Sequence, residues 1–279
     1  FPICLDTQDV DAIVATVRAI APVFAAINLE DIAAPQCFDV EARLQDLGIP
    51  VMHDDQHGTA VVVLAALTNA CRVAKKRLAD VRVVISGAGA AGTAVARLLG
   101  PRVADLLTTD SQGIVCSPRT DLHPSKRELL TTTNRRNQCG TLDDALAGSD
   151  VFIGVSKPGL LTPAMIRTMA PRPIIFAMAN PTPEIMPDDA RAAGAVVIAT
   201  GRSDLPNQVT NALASPGIFR GAIDVGATRI TEEMKVAAAM ALARLVLHPD
   251  ATHIIPSIFD RNVVPSVARA VARAWRTAP

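Results

Sequence analysis

Pairs of acidic residues follow two apolar runs of the sequence. Asp54 and Asp55 come after LGIPVMH, and Glu30 and Asp31 come after VFAAINL. Carboxylate oxygens are the preferred ligands of hard divalent cations, so the pattern resembles a site for Mg²⁺ or Mn²⁺. Because adjacent side chains point to opposite faces of a strand, joint ligation by Glu30 and Asp31 requires an irregular turn.

The same acidic residues also have ordinary structural explanations. The two aspartates are placed to cap a helix over residues 59–74, which contributes on the order of 1 kcal/mol. The first acidic pair fits a solvated loop equally well. His53 and His57 flank the aspartates, and we expect them to pack or to support the acids, because a hard-ion site does not favour imidazole.

A glycine-rich turn follows the apolar run VRVVIS and opens a helical pattern. It consists of Gly87, Ala88, Gly89, Ala90, Ala91 and Gly92. This G-x-G-x-x-G pattern between a strand and a helix is typical of dinucleotide sites, where the pyrophosphate lies at the helix N-terminus. Asp110 ends the next apolar run, where a carboxylate can bind the adenosine ribose. The alternative is a glycine-rich turn that binds nothing.

Polar residues follow the later apolar runs. They are Lys157 in GVSKPG, Asn180 in AMANPTPE, and Asn207 and Asn211 in LPNQVTNALASPG. Ligands of open parallel sheets bind beyond the carboxyl ends of the strands. These asparagines are therefore candidates to donate to a carboxylate or to a nicotinamide amide. Turn formation beside proline or glycine explains any one of them equally well.

Short apolar runs alternate with helical patterns from Val81 onward. The runs predict strands, and the segments between them predict helices (strands 81–86, 104–109, 150–155, 173–179 and 195–200; helices 91–99, 141–147, 162–169 and 187–193). Continuous apolar strands separated by helices indicate a parallel sheet covered on both faces. We therefore predict a doubly wound, mostly parallel α/β fold. Helical segments are expected to flank it over 8–20, 231–247 and 264–275.

The composition excludes several classes of protein. Lysine plus arginine and aspartate plus glutamate number 27 each, so no basic excess points to nucleic acid or to a membrane surface. The longest apolar run, residues 60–67, is far shorter than the roughly 20 residues that span a bilayer. The five cysteines form no CxxC pair, which favours reduced thiols and a cytoplasmic protein.

Taken together, these motifs resemble the bacterial malic enzymes. The resemblance rests on INLEDIAAP, IPVMHDDQHGTAVVVLAAL, GAGAAG, DVFIGVSKPG, FAMANPTPEIMP, ATGRSDLPNQ and SPGIFRGAIDV, in that order along almost the whole chain. It implies a Rossmann-like domain and the oxidative decarboxylation of malate to pyruvate and CO₂. It also implies reduction of NAD⁺ or NADP⁺, a requirement for Mg²⁺ or Mn²⁺, and a homo-oligomer, a dimer or larger.

The resemblance also implies roles for individual residues. Glu30, Asp31 and Asp55 match metal ligands, and Asp54 matches the acid that partners a catalytic lysine. The glycine-rich turn would hold the pyrophosphate, and Asp110 would lie near the ribose. Asn180 and Asn211 match residues that contact nicotinamide and substrate. Thr210 stands where the family usually has a further asparagine, which puts substrate affinity at that point in question.

In the family, the catalytic base is a lysine and the acid a tyrosine, both on a domain that precedes this region. This sequence contains no tyrosine, and its first residue is Phe1. We therefore expect a C-terminal portion of a malic enzyme. Two alternatives stay open: a non-catalytic module that binds nucleotide and metal, and a malolactic-type conversion of malate to lactate.

The resemblance predicts three domains: the end of the substrate domain (1–56), the NAD(P)-binding domain (57–225) and C-terminal helices on the catalytic side (226–279). The choice between NAD and NADP stays open. The charge of Asp110 would repel a 2′-phosphate, but Arg102, Arg119 or Lys126 could offset that charge.

Overall fold

The computed structural model describes residues 1–277 and contains two sheets. The strands are β1 (Ile27–Leu29), β2 (Val51–His53), β3 (Arg82–Ser86), β4 (Asp105–Asp110), β5 (Gly113–Ile114), β6 (Val151–Gly154), β7 (Ile174–Ala177) and β8 (Val197–Thr200). The helices are α1 (Val10–Ile20), α2 (Gln36–Ala42), α3 (Asp54–Ala74), α4 (Ala90–Leu99), α5 (Pro124–Leu129), α6 (Leu142–Leu146), α7 (Pro163–Thr168), α8 (Pro187–Ala192), α9 (Ser215–Asp224), α10 (Glu232–Leu245) and α11 (Val263–Thr277).

The larger sheet has the strand order β5-β4-β3-β6-β7-β8, and only the short β5 is antiparallel. The first strand of this sheet, β3, therefore lies in its middle. The next strands are added on one side of β3, and from β6 onward they are added on the other side, as in doubly wound dinucleotide-binding folds. Val83 and Ile85 pack into a core with α3 and α4, while Val84 packs into a core on the opposite face with α6 and α7. The predicted doubly wound α/β fold is confirmed.

Each predicted strand and helix is present, with ends shifted by a few residues. In the apolar run VFAAINL (23–29), only Ile27–Leu29 forms a strand. Residues Ala21–Val23 form a 3-10 turn instead, because proline at position 22 suits a first helical turn.

The helix α3 begins at Asp54, earlier than the predicted helix over 59–74, so the two aspartates are helical residues and not caps. His53 occupies the N-cap with extended backbone angles. α3 is also the one helix within residues 1–277 that is long and apolar enough to cross a membrane. Of its most apolar window, 72% is buried inside the molecule, as in a core helix.

The prediction of five reduced thiols is wrong for one pair, because Cys116 and Cys139 form a disulfide with their Cα atoms 5.6 Å apart. Ile114 in β5 donates a backbone hydrogen bond to Gly140 O (2.8 Å). This contact brings two cysteines together that are 23 residues apart in sequence. Spacing rules for CxxC pairs do not detect such a contact. The other three cysteines, Cys4, Cys37 and Cys71, are free.

Candidate active site

The acidic residues lie past the ends of two paired strands. β1 and β2 are parallel, and Leu29 is paired with His53, so Glu30 and Asp54 leave the small sheet side by side. Asp31 has a positive φ of 57°, which makes the required irregular turn. Its backbone N–H donates to Asp55 Oδ2 (2.9 Å).

Two carboxylates have raised pKa values in this acidic cluster of Glu30, Asp31, Asp54 and Asp55. Burial and the negative charge of Asp54 raise the pKa of Glu30, with smaller contributions from Asp55 and Asp31, against a lowering hydrogen bond from Asn28. Burial also raises the pKa of Asp54. Within residues 1–277, no three or more His, Cys, Asp or Glu side chains are arranged as a metal-binding group. The carboxylates are therefore neighbours but do not form a ready coordination shell.

Three polar residues meet around Gly58, one turn into α3. The Ser215 hydroxyl donates to Asp54 Oδ1. A Cβ atom at position 58 would lie 1.8 Å from Asp54 Oδ1, 2.8 Å from Ser215 Oγ and 3.0 Å from Asn211 Cβ. Only glycine leaves room for this arrangement, which brings together two of the predicted site residues, Asp54 and Asn211, although they are far apart in sequence.

The two histidines have different surroundings. His53 is fully buried, and neither of its ring nitrogens has a hydrogen-bond partner within residues 1–277. Its Nε2 lies 4.0 Å from Asp55 Oδ2, and burial lowers its pKa. His57 is fully engaged, because Lys235 Nζ donates to its Nδ1 (3.1 Å) and its Nε2 donates to Glu41 Oε2 (3.0 Å). Both histidines thus lie beside acidic residues, where they pack or form hydrogen bonds.

Two of the three glycines of the predicted nucleotide turn have a steric reason in the fold, and the third does not. Gly87 has a φ of 119°, and a Cβ there would meet Val155 O at 2.8 Å. A Cβ at Gly92 would lie 1.7 Å from Gly87 O, whereas a Cβ at Gly89 would have nothing within 4 Å. The first and third glycines are thus needed for the fold. The second glycine leaves open space before the α4 N-terminus, where a phosphate can approach.

A cavity of about 910 Å³ opens above this turn. Its lining includes the segments that end β3, β4 and β6, Ala34 and Pro35 from the loop after the acidic cluster, and Phe38 on α2. The lining includes Gly87, Ala88 and Gly89, together with Asp110, Ser156 and Lys157. The cavity therefore lies at the point where the strand order reverses, the expected place for a dinucleotide.

Two cations hold Asp110 at the edge of the cavity. Arg119 Nη1 donates to its Oδ1 (2.8 Å), Arg119 Nη2 to its Oδ2 (3.1 Å), and Lys126 Nζ to its Oδ2 (2.6 Å). Burial opposes ionisation, but these hydrogen bonds outweigh it and lower the pKa of Asp110 to about 2. Arg102 instead donates to Leu98 O. Of the three candidates to offset the charge of Asp110, two therefore do so.

The asparagines after the later strands fall into two groups. Asn207 is structural: its Nδ2 donates to Ile198 O and Ala251 O, and its Oδ1 accepts from Ile254 N–H. Asn180 is exposed and lies beside Gly201, where a Cβ would meet its Nδ2 at 2.8 Å. Asn211 begins a 3-10 turn beside Asp54. Within residues 1–277, Asn180 therefore keeps its side chain available for a ligand, and Asn211 keeps its Nδ2, since its Oδ1 accepts from Thr210 Oγ1 (3.4 Å).

Sequence reasoning missed three polar residues that shape this region: Ser215, Glu184 and Glu41. Ser215 belongs to the SPGIFRG stretch, and Glu184 belongs to NPTPE, so both are within recognisable motifs. Nothing local to Glu41 indicates that its carboxylate accepts from the His53 N–H (3.0 Å) and from Gln56 Nε2 (3.2 Å).

The sheet order, the glycine turn and the cavity define a dinucleotide-binding α/β protein. The family description "Malic enzyme, NAD binding domain" matches residues 56–276, and "Malic enzyme, N-terminal domain" matches residues 6–45. The chain belongs to the malic enzyme family, as the sequence motifs predicted.

Relatives in this family match almost the whole chain. The "Bifunctional malic/malolactic enzyme" of Bacillus subtilis is 53% identical over 98% of this chain. The "NAD-dependent malic enzyme" of Geobacillus stearothermophilus is 51% identical over 99%. The "NADP-dependent malic enzyme" of Halomonas elongata is 46% identical over 97%. The crystal structure of an NAD-dependent malic enzyme from Thermotoga maritima superimposes with a TM-score of 0.93 at 45% identity, covering 98% of this chain and 73% of that one.

The chain spans 68%, 59% and 68% of the lengths of the Bacillus, Geobacillus and Halomonas relatives, respectively. Family membership identifies the chain with oxidoreductases that use a nicotinamide cofactor, and the family contains both NAD- and NADP-dependent members.

Proposed function

We propose that the chain provides the cofactor site and the acidic site of an enzyme that converts malate to pyruvate and CO₂ with reduction of NAD⁺ or NADP⁺. The observation that carries this proposal is the position of the 910 Å³ cavity between the glycine turn and the loop that follows the acidic cluster. A dinucleotide on the turn would thus end close to the residues proposed to bind malate.

The roles proposed for individual residues follow from their chemistry. Asp54, held by Ser215, would orient the catalytic lysine. Asn180 and Asn211 would donate hydrogen bonds to the nicotinamide amide and to the carboxylates of malate. Glu30, Asp31 and Asp55 would hold Mg²⁺ or Mn²⁺: they are hard oxygen donors, and a cation would offset the burial and the repulsion that raise the pKa of Glu30. Such a cation supplies charge stabilisation at the substrate oxygen.

We also propose that the site accepts either cofactor. The carboxylate of Asp110 is neutralised by Arg119 and Lys126, so its repulsion of a 2′-phosphate is weakened, while it can still accept from a ribose hydroxyl. Comparing the Kd values of NADH and NADPH by fluorescence tests this. Similar values, within roughly tenfold, support dual use; a larger gap in either direction contradicts it.

The activity is tested on the chain as sequenced and on the same chain joined to a relative's segment that carries the lysine and tyrosine. Each protein is mixed with malate, Mn²⁺ and either NAD⁺ or NADP⁺. We expect both proteins to bind nucleotide and only the second to reduce it. Turnover by the chain alone would show that one of its own residues acts as the base. Absence of nucleotide binding in a folded sample would overturn the proposal.

A second candidate is the conversion of malate to lactate, because the Bacillus relative is named for both activities. Quantifying lactate and pyruvate in the same assay distinguishes the two reactions: lactate without accumulation of NADH identifies the malolactic one. A non-catalytic module would bind nucleotide and form neither product even with the upstream segment. The division into 1–56, 57–225 and 226–279, the homo-oligomer and the cytoplasmic location stay predictions.

A further inference from the structure

Glu184 is a fully buried carboxylate between the ends of two neighbouring strands. Its Oε1 accepts from the backbone N–H of Ser156 (3.2 Å), two residues past β6, and its Oε2 accepts from Ala179 N–H (3.0 Å), two residues past β7. Its own backbone oxygen accepts from Leu161 N–H (3.1 Å). One side chain thus ties two strand ends at the ligand-binding edge of the sheet.

The surrounding chain reserves space for this carboxylate. A Cβ at Gly154, the last residue of β6, would lie 2.2 Å from Glu184 Cδ. Burial raises the pKa of Glu184, and the backbone hydrogen bonds offset this effect only in part. Within residues 1–277, its hydrogen-bond donors are backbone amides alone. Burial of a carboxylate without a cation is costly, so packing alone does not explain its presence.

The segments that Glu184 holds are parts of the proposed cofactor site. Ser156 and Lys157 line the 910 Å³ cavity, and the Ser156 hydroxyl lies 3.2 Å from Ser86 Oγ, at the start of the glycine turn. Ala179 directly precedes Asn180. Glu184 therefore fixes both the cavity wall after β6 and the backbone that presents Asn180.

The two strand ends that Glu184 ties together, those of β6 and β7, lie on the same side of β3. The sheet order places β4, which carries Asp110, on one side of β3, and β6 and β7 on the other. A dinucleotide bound at the reversal point lies with its adenosine half towards β4 and its second half towards β6 and β7. Within residues 1–277, the hydrogen bonds of the Glu184 side chain come from segments on the second side.

We propose that Glu184 is a positioning residue for the nicotinamide half of the cofactor. It acts through Ser156 and the Ala179–Asn180 backbone and does not contact the cofactor itself. The inference rests on the proposed nucleotide binding. It requires that loss of Glu184 weakens the binding of a whole dinucleotide and leaves the binding of its adenosine half intact.

The test is Glu184→Gln, which keeps the size of the side chain but places an NH₂ donor against one of the two backbone N–H groups. Calorimetric titrations of NADH and of ADP-ribose, which lacks only the nicotinamide ring, separate the contribution of that ring from the rest of the dinucleotide. Where the wild type prefers NADPH, the pair is NADPH and 2′-phospho-ADP-ribose. We expect the affinity for NADH to fall roughly tenfold and the affinity for ADP-ribose to change less than about twofold. The blue shift of bound nicotinamide fluorescence should shrink as well.

The matched control is Glu233→Gln, at an exposed position in the first turn of α10, which should leave both affinities unchanged. Equal losses for the two ligands, or no loss for either, would overturn the positioning role while nucleotide binding stands. A wild-type chain that binds neither ligand would overturn the proposed function and this inference with it. If Glu184→Gln does not fold, Glu184→Asp, which keeps the charge and shortens the reach, is used in the same comparison.

Discussion

The hydroxyl of Ser215 donates to Asp54 across 161 residues of sequence. Asp54 is largely buried and has a raised pKa, and among its contacts this hydrogen bond is the one that favours ionisation. Asp54 therefore depends on a residue of α9 to stay charged inside the protein. The orientation proposed for the catalytic base then depends on how α9 packs against the start of α3.

Ser215→Ala should destabilise the protein by about 1.5–3 kcal/mol at neutral pH, because a buried carboxylate loses its hydroxyl donor. Urea unfolding followed by circular dichroism measures the change. Ser257→Ala is a suitable comparison, since the Ser257 hydroxyl only accepts from the exposed Phe259 N–H, and it should change the stability by less than about 0.5 kcal/mol. Equal effects of the two substitutions would contradict a special role for Ser215.

Asp110 gives a pH dependence whose sign follows from its pKa. The folded-state pKa, about 2, is below the ordinary value of 3.8. The folded state therefore favours the ionised form, and the resulting stability is present above about pH 4 and is lost as pH falls towards 2. Asp110→Asn should cost about 1–2 kcal/mol at pH 7, allowing for solvent screening of Lys126.

Denaturant titrations of the wild type and Asp110→Asn without nucleotide, at pH 7, 5 and about 3, test this. The stability difference should be constant between pH 7 and 5 and should shrink at the lowest pH. A difference that does not change with pH would mean that the ion pairs with Arg119 and Lys126 contribute nothing.

Among the elements, the β3–turn–α4 unit contains one glycine that is needed for packing and another that leaves space for a ligand. Gly92→Ala would place a Cβ 1.7 Å from Gly87 O, so the turn and α4 must move apart. Gly89→Ala adds a methyl group that meets nothing within 4 Å, in an extended conformation that alanine also adopts. The two substitutions add the same group to one motif with different consequences.

We expect Gly92→Ala to lower the free energy of unfolding by about 2–3 kcal/mol. Gly89→Ala should cost less than about 1 kcal/mol but should weaken NADH binding by at least roughly tenfold, because the methyl group occupies the space that a pyrophosphate needs. Thermal unfolding and fluorescence titration give the two quantities. Normal nucleotide affinity in Gly89→Ala would place the ligand elsewhere.

Local patterns predicted most elements of the larger sheet. The runs at 81–86 and 173–179 are continuous and apolar because the strands there are buried on both faces, and their strands are present. Partners distant in sequence were not predictable in this way. The Cys116–Cys139 disulfide, the two amides that Glu184 accepts from and the Ser215–Asp54 hydrogen bond all depend on which loops meet after folding. The start of α3 was placed too late because His53 and the two aspartates interrupt the apolar pattern before it.

At the scale of the molecule, the acidic cluster and the cofactor cavity belong to different cores. The small sheet packs with α1 and α2 in a core of its own, and the larger sheet packs with α3, α4 and the C-terminal helices. α3 joins the two, because it starts at the acidic cluster and runs through the larger core. A chain of hydrogen bonds fixes this junction: Glu41 on α2, His57 on α3 and Lys235 on α10.

Lys235 is 7% exposed and also pairs with Glu232. Because an ammonium group only donates, its contact with His57 Nδ1 leaves the Nε2 proton to donate to Glu41. Burial favours the neutral form of Glu41, but the hydrogen bond and charge of His57, with a smaller effect of Lys235, outweigh it and lower the pKa of Glu41 below its ordinary value. The network therefore favours an ionised Glu41, which accepts from the His53 N–H at the start of α3.

Lys235→Met keeps most of the side-chain volume and removes the charge, so it should cost about 1.5–3 kcal/mol in unfolding free energy. Hydrogen exchange should rise at the amide of His53, because Glu41 loses the cation that favours its ionised form, and in the first turn of α10. Glu232→Gln, which removes the exposed partner only, should cost less than about 1 kcal/mol and leave the His53 amide protected. If Lys235→Met changed exchange in α10 alone, the hydrogen bonds between Lys235, His57 and Glu41 would have no effect on the start of α3. Packing of α3 would then be sufficient to hold Asp54 and Asp55 in place.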